Sequence, residues 1–401
     1  MKMGFRLFTL ICAAFLLAVP SFAGAKVKIN DTAKFDIGFR MQTMYINTET
    51  DLDGDANLDS YDYFRVRRGR LRMKAIVGEK FEAFLQTEVG SFGTDGSGGD
   101  VRIIDGWVQY KFNKNFSTFA GLHMAPTGRQ NITSSGGLLA IDRPGIVTKD
   151  LTWGTRAVHT YNTATFGQSD AKLRSGTAVR DAGLTFFYKG SGSETVHYKL
   201  YAAINNGIQA AGFDKERLTF RGQVNFFDEE SGYYHLSNYF GKKKTVSIGA
   251  AVDMQDSVAL NSAGDAVDYS LSTVDLHVEW PVGDNSLSFE TAVVNMDLDD
   301  EEAMMVGGNA VNTKGSAGTG YYIQFGYNIG KLQPFFLYDV WDSDRDDGVG
   351  SYDQFRIGLA YYLFGNNANI KLGYEQFNAD VAFLGTEDSL SSLVFGFFVT
   401  F

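Results

Sequence analysis

The densest chemistry in the chain is a run of cations at alternate positions. In Tyr63-Phe64-Arg65-Val66-Arg67-Arg68-Gly69-Arg70-Leu71-Arg72-Met73-Lys74, extended backbone puts Arg68, Arg70, Arg72 and Lys74 on one face, with Gly69, Leu71, Met73 and Ala75 on the other. Like charges stacked this way repel, so the arrangement needs either carboxylates opposite it or anions that step along it. A second basic concentration is 126–179, where Arg129, Arg143, Lys149, Arg156, Lys172 and Arg174 stand against Asp142, Asp150 and Asp170, a net of +3. The opposite chemistry occupies Asp51-Leu52-Asp53-Gly54-Asp55-Ala56-Asn57-Leu58-Asp59. Alternating carboxylates, led by Asp51, Asp53 and Asp55, suit a hard cation such as Ca2+, although Ala56 stands where a calcium loop has glycine and Asp62 where it has glutamate. The same segment also reads as a solvated acidic loop, like 297–302 and 342–347, able to share divalent ions with lipopolysaccharide phosphates. Enzyme chemistry is not indicated: His123, His159, His197, His235 and His277 show no metal-ligand spacing, and His277 sits between Asp275 and Glu279 in an extended run.

Extended elements must carry these residues, in a place that tolerates stacked cations. Lys2 and Arg6 precede the apolar run 7–19, and Ser21-Phe22-Ala23 supplies small residues, so 1–23 reads as a cleaved signal peptide, with cleavage after Ala25 as the alternative. Cys12, the only cysteine, falls inside it, which leaves 24–401 without thiol or disulfide. The net charge of −11 becomes −13 once Lys2 and Arg6 are removed, and an acidic chain argues against nucleic acid as partner. Downstream there is no run of about 18 apolar residues, which excludes an ordinary transmembrane helix but not alternating strands, whose overall hydropathy stays near neutral.

The last twelve residues show that alternation best. Leu393, Phe395, Phe397, Val399 and Phe401 share one face; Val394, Gly396, Phe398 and Thr400 share the other. So many aromatics on one face, ending on Phe401, resembles the assembly signal of outer-membrane barrels more than the last strand of a soluble sandwich. Similar segments recur at 34–47, 62–77, 80–91, 101–112, 116–125, 180–190, 195–204, 216–227, 243–254, 268–280, 286–297, 319–329, 332–341, 353–364 and 369–378, making sixteen with 390–401. Their connections alternate between short (78–80, 113–115, 281–285, 366–368) and long (48–61, 126–179, 298–318, 342–352). The weakest boundary is 228–242, where Tyr233-Tyr234 and Tyr239-Phe240 could extend a neighbouring strand, which keeps fourteen or eighteen strands open. The expected fold is all-β: one transmembrane antiparallel β-barrel over 24–401, with short periplasmic turns and long extracellular loops. About sixteen strands leave room for an aqueous channel.

Each cation facing hydrocarbon near the midplane would cost about 2–4 kcal/mol, so the ladder must line the lumen. The same test places Arg40, Lys111, Lys199, Arg217, Arg221, Arg356 and Lys371 inside, together with Glu82, Glu88, Asp105, Asp275, Glu279, Glu290, Asp339 and Glu375. Cations gather on the first, second, seventh and eighth strands and carboxylates on the third, tenth and eleventh, a segregation that sets a field across the lumen. The 126–179 loop reads either as a basic constriction folded inward, with Arg129, Arg143, Lys149 and Arg156 in it, or as a solvated surface loop.

Several stretches resemble a known family. Arg67-Arg68-Gly69-Arg70-Leu71, Ile104-Asp105-Gly106-Trp107-Val108-Gln109-Tyr110-Lys111-Phe112, Ala120-Gly121-Leu122-His123-Met124-Ala125-Pro126, Thr133-Ser134-Ser135 and Arg180-Asp181-Ala182-Gly183-Leu184 are similar to the phosphate-selective porins O and P, most clearly over 60–190. The resemblance implies a sixteen-stranded trimer in the bacterial outer membrane with an arginine-lined path for small anions. Thr127 stands where the family has an aromatic residue, and Gly136-Gly137 where charged and aromatic residues are expected. The resulting expectation is a passive porin for anions such as phosphate, without a required cofactor; the alternative is a general diffusion porin with weak or cation-leaning selectivity.

Overall fold

The computed structural model describes residues 25–50, 59–89, 101–144, 180–207, 215–260, 265–299, 304–306, 309–311, 317–344, 346, 348, 350–381 and 388–401. Sixteen long strands follow in chain order: β1 (Ala33–Thr50), β2 (Asp59–Val77), β3 (Phe81–Glu88), β4 (Arg102–Lys111), β5 (Phe116–Met124), β6 (Arg180–Ser191), β7 (Val196–Asn205), β8 (Arg217–Phe227), β9 (Thr245–Leu260), β10 (Ala266–Val282), β11 (Asn285–Leu298), β12 (Gly318–Asn328), β13 (Leu332–Ser343), β14 (Tyr352–Tyr362), β15 (Ala368–Ala379) and β16 (Ser389–Thr400). Each pairs antiparallel with its neighbours, and β16 pairs with β1, Thr400 opposite Arg40 and Ser391 opposite Glu49. The seam is finished by Phe401 and Phe39, which exchange backbone hydrogen bonds of 2.8 and 2.9 Å. A sheet closed on itself has no edge, the only way strands satisfy every backbone group in lipid. Short strands add a hairpin to the start of β1 (Ala25–Lys28) and a second hairpin between β11 and β12 (Met304–Val306 with Asn309–Val311).

Alternation sets which side chains meet lipid. Along β9 the side chains of Thr245, Ser247, Ala251, Asp253 and Gln255 are buried inward, while Ile248, Val252 and Met254 lie on the outer surface. All sixteen expected segments are strands. The doubtful region 228–242 is not: the connection from β8 to β9, at the short-turn end, folds back into the barrel. Tyr233, His235, Ser237 and Asn238 in it are buried.

Strict alternation is interrupted by register shifts at Gln86–Thr87 against β4, in β9 after Gln255, and in β2, where the shift bears on the cations. The register runs Gln42 opposite Arg68 and then Thr43 opposite Val66, so Arg67 is the extra residue of a β-bulge. The bulge switches phase: Arg65 is buried on the inner side with Arg68, Arg70 and Arg72, Phe64 points out at 72 % exposure, and Arg67 also turns inward. Without it, Arg65 and Arg67 would face lipid. The inner face of β2 thus carries more cations than the alternation from Arg68 to Lys74 predicted.

Candidate functional site

Two chain segments enter the lumen from opposite ends and meet. The described start of the long β5–β6 loop, residues 125–144, comes from one end and contains a single 3-10 turn, Gln130–Ile132. The 228–244 turn comes from the other. The peptide N–H of His235 donates to Ile132 O (3.0 Å), that of Ser134 to His235 O (2.9 Å), and that of Ser237 to Gly137 O (2.8 Å). The Tyr233 hydroxyl donates to Met124 O at 2.7 Å. A Cβ on Gly137 would stand 2.4 Å from the Leu236 side chain, and one on Gly136 would stand 2.5 Å from Arg40 Nη2. The Gly136-Gly137 pair, a departure from the family pattern, therefore lets the two segments and the wall approach closely.

An ion pair locks the junction. Arg129 donates from Nη2 to Glu230 Oε1 (2.7 Å) and from Nη1 to Glu230 Oε2 (2.9 Å), and its Nε reaches Glu290 at 3.3 Å. Burial works against the Arg129 charge, but Glu230 and Glu290 outweigh it and hold its pKa above the ordinary value. Burial likewise opposes the Glu230 charge, and Arg129 and His235 still pull its pKa well down. His235 is buried beside Lys199 (3.3 Å to Nζ), and burial followed by that cation pushes its pKa well below 6.5.

The wall holds the loop as well. Lys371 on β15 donates to three successive carbonyls, Leu138, Leu139 and Ala140, at 2.7, 3.0 and 2.8 Å. Arg356 on β14 donates to Arg143 O. On β2, Arg68 and Arg67 pair with Asp142 at 2.9 and 2.7 Å. On β1, Arg40 donates from Nη1 to Ser135 Oγ (2.7 Å) and from Nη2 to Ser134 Oγ (3.2 Å).

Many of the inward cations are thus neutralised. Arg129 is shared by two carboxylates. Arg217 pairs with Asp253 (2.9 Å) and Asp181 (3.4 Å), and Arg221 with Asp275 (2.6 Å). Arg68 is buried against Asp142 and Gln42, and Arg143 donates to the carbonyls of Gln130 and Thr133, both at 2.6 Å. These expected anion-path residues hold the interior together. Lys149 and Arg156 lie outside the described residues, as do Asp51, Asp53 and Asp55; among the described residues no cluster of three His, Cys, Asp or Glu could hold a metal.

The remaining candidates come together. Arg40, Arg70, Arg72, Lys74 and Lys111 line one cavity of about 620 Å³, which runs from the Asn113–Asn115 turn at the short-turn end to Ser134 and Ser135 of the inward loop. Lys114, Arg180 and Lys189 join them, and the carboxylates in its wall are Glu82 and Asp105. Glu82 bridges Lys74 (3.2 Å) and Lys111 (2.7 Å), Asp105 binds Arg180 (3.0 Å), and Arg70 binds Glu88 (2.7 Å). Arg72 has no described carboxylate within ion-pair reach, and its Nε makes no hydrogen bond. Cations in excess of carboxylates in a confined cavity hold a positive potential that concentrates anions.

The sequence profile of the family described as phosphate-selective porin O and P matches residues 35–377. The chain belongs to that family. It is an outer-membrane porin. Solved structures with the same fold include an anion-selective porin from Comamonas acidovorans (14 % identity, TM-score 0.57, covering 92 % of this chain and all of that one). Others are OmpF of Salmonella typhi in complex with daunomycin (13 %, 0.56, 94 % and 100 %) and the outer-membrane channel DcaP of Acinetobacter baumannii (14 %, 0.51, 94 % and 100 %). A trimer form of Vibrio cholerae OmpT is also similar (12 %, 0.50, 92 % and 100 %). No curated protein matches the chain.

The porin's interior holds residues that sequence reasoning passed over. Glu230 and His235 stand in the segment where the strand boundary is weakest, and Ser134 and Ser135 in a stretch that the sequence marks only by its family resemblance. Their signal was weak but present: adjacent aromatics such as Tyr233-Tyr234 do not alternate, and a connection as long as 228–244 is out of place at the short-turn end.

Proposed function

We propose that this porin is a passive channel for small anions, phosphate among them, and that the path passes through the basic cavity along Arg40, Arg70, Arg72 and Lys74. The observation that carries the reading is the balance of charge in that cavity, where cations outnumber carboxylates and Arg72 has none paired to it. Elsewhere several of the inward acids that favour a cation-leaning pore are engaged by cations, Glu290 by Arg129, Asp275 by Arg221 and Glu375 by Arg356, as are Glu230 by Arg129 and Asp253 by Arg217. An engaged carboxylate contributes little field to a passing ion. One observation favours the general-diffusion reading: Asp297, Asp342 and Asp344 gather at the long-loop mouth, and burial with Asp297 and Asp342 raises the Asp344 pKa. Reversal potential in a salt gradient across a planar bilayer separates the two. The anion reading expects a potential near the chloride side, and a cation-selective pore would overturn it. Assembly as a homotrimer completes the proposal, with the trimeric OmpT as its support; light scattering of the detergent-solubilised protein measures it.

A further inference from the structure

We infer that the basic cavity selects organic anions that carry an aromatic ring, with an aryl carboxylate as the chemical class it takes. The inference rests on the anion reading above and narrows it. A cavity of about 620 Å³ is in the range that encloses a small organic molecule and far exceeds one phosphate ion.

Its two walls differ in kind. One is cationic, with Arg72 able to make a two-point contact to a carboxylate because its guanidinium has no paired acid. The other is aromatic: Phe84, Trp107, Phe119, Phe187, Tyr233 and Tyr234 all border the cavity. They form a continuous packed surface, with ring centroids 5.3 Å apart for Phe84 and Trp107, 5.0 Å for Trp107 and Phe119, and 4.6 Å for Phe119 and Tyr233. The walls meet where the Arg72 guanidinium lies over the Phe84 ring, 5.7 Å from its centroid. Beside it, the buried Trp107 indole N–H faces the Tyr234 hydroxyl.

Phosphate is poorly served by this wall. Aromatic faces carry negative charge density, so a strongly hydrated oxyanion gains nothing from them. A ring carrying a single carboxylate uses both walls: the carboxylate at Arg72 and the ring packed against Phe84 and Trp107.

The test uses the purified full-length barrel in planar bilayers, with sodium acetate, benzoate and phosphate at equal concentration. Free diffusion and size favour acetate. The aromatic wall expects benzoate to be the more permeant and to block chloride current, with an apparent affinity about two- to tenfold above that of acetate. Phe84→Ala should erase that difference, and Arg72→Gln should weaken both carboxylates. Should Phe84→Ala fail to assemble, the wild-type comparison decides alone. An anion-selective pore in which acetate outruns benzoate and benzoate does not block overturns the inference and leaves the anion reading standing. A cation-selective pore removes that reading first.

Discussion

Side chains of the same type, placed by the same alternation, meet different fates inside this barrel. Arg217 and Arg72 both point into the lumen, but Arg217 is held by Asp253 and Asp181 whereas Arg72 has only an aromatic ring beneath it. An ion passing about 4 Å from an unpaired charge in water-like surroundings gains about 1 kcal/mol. Arg72→Gln should therefore lower the anion-to-cation permeability ratio about fivefold, read from the reversal potential, whereas Arg217→Gln should mainly lower barrel stability. His235 supplies a pH dependence. Packed, its pKa lies well below the ordinary 6.5, so the neutral form is the one that fits beside Lys199; released into water it protonates near 6.5. Release of the turn thus becomes more favourable as pH falls below 6.5, by up to about tenfold per unit, until the packed-state pKa is reached. Glu230, with a depressed packed-state pKa, adds to this only below its ordinary 4.5. Single-channel recordings should show rising open-channel noise on acidification, and His235→Gln should abolish the step near neutrality. Which cations end up free was not fully legible in the sequence: partners on adjacent strands, such as Arg217 with Asp253 or Arg356 with Glu375, follow from the register, but Arg129 meets Glu230 of the inward turn 101 positions away.

Elements were easier to read than their excursions. Hydrophobic alternation marked every strand, since lipid on one side and a polar interior on the other leave one pattern. The β2 bulge was also written there: Arg65, Arg67, Arg68 and Arg70 cannot all avoid lipid without a change of phase. The inward 228–244 turn was not legible, because it is built from non-local contacts and follows neither a period of two nor a turn motif. Its hold on the long loop is testable. Glu230→Gln leaves Arg129 buried with only Glu290; removing one partner of a buried pair costs about 3–5 kcal/mol, and the remaining carboxylate should keep this case at the lower end. We expect larger single-channel conductance and new proteolytic cleavage within 228–244, neither of which Glu230→Asp should show as strongly. A conductance equal to wild type would mean that this ion pair does not set the width.

The whole molecule is closed at one seam, where β16 meets β1. Phe401 adds two backbone hydrogen bonds to the β16–β1 seam and packs its ring 5.7 Å from Phe39. Deleting it should lower the temperature at which the folded barrel loses its compact gel migration, while a Phe401→Tyr chain should match wild type. The seam has a second fastener, placed on the inside. Ser134 and Ser135 grip Arg40 on β1, and three residues further on the same strap of chain accepts Lys371 on β15, so it passes behind β16 and ties the strands on either side of it. The strap that narrows the lumen is therefore also a brace across the place where a cylinder closed from one ribbon is most apt to part. Its sequence answers to two demands at once, and a change made there to alter cargo will be felt as a change in how firmly the cylinder stays shut.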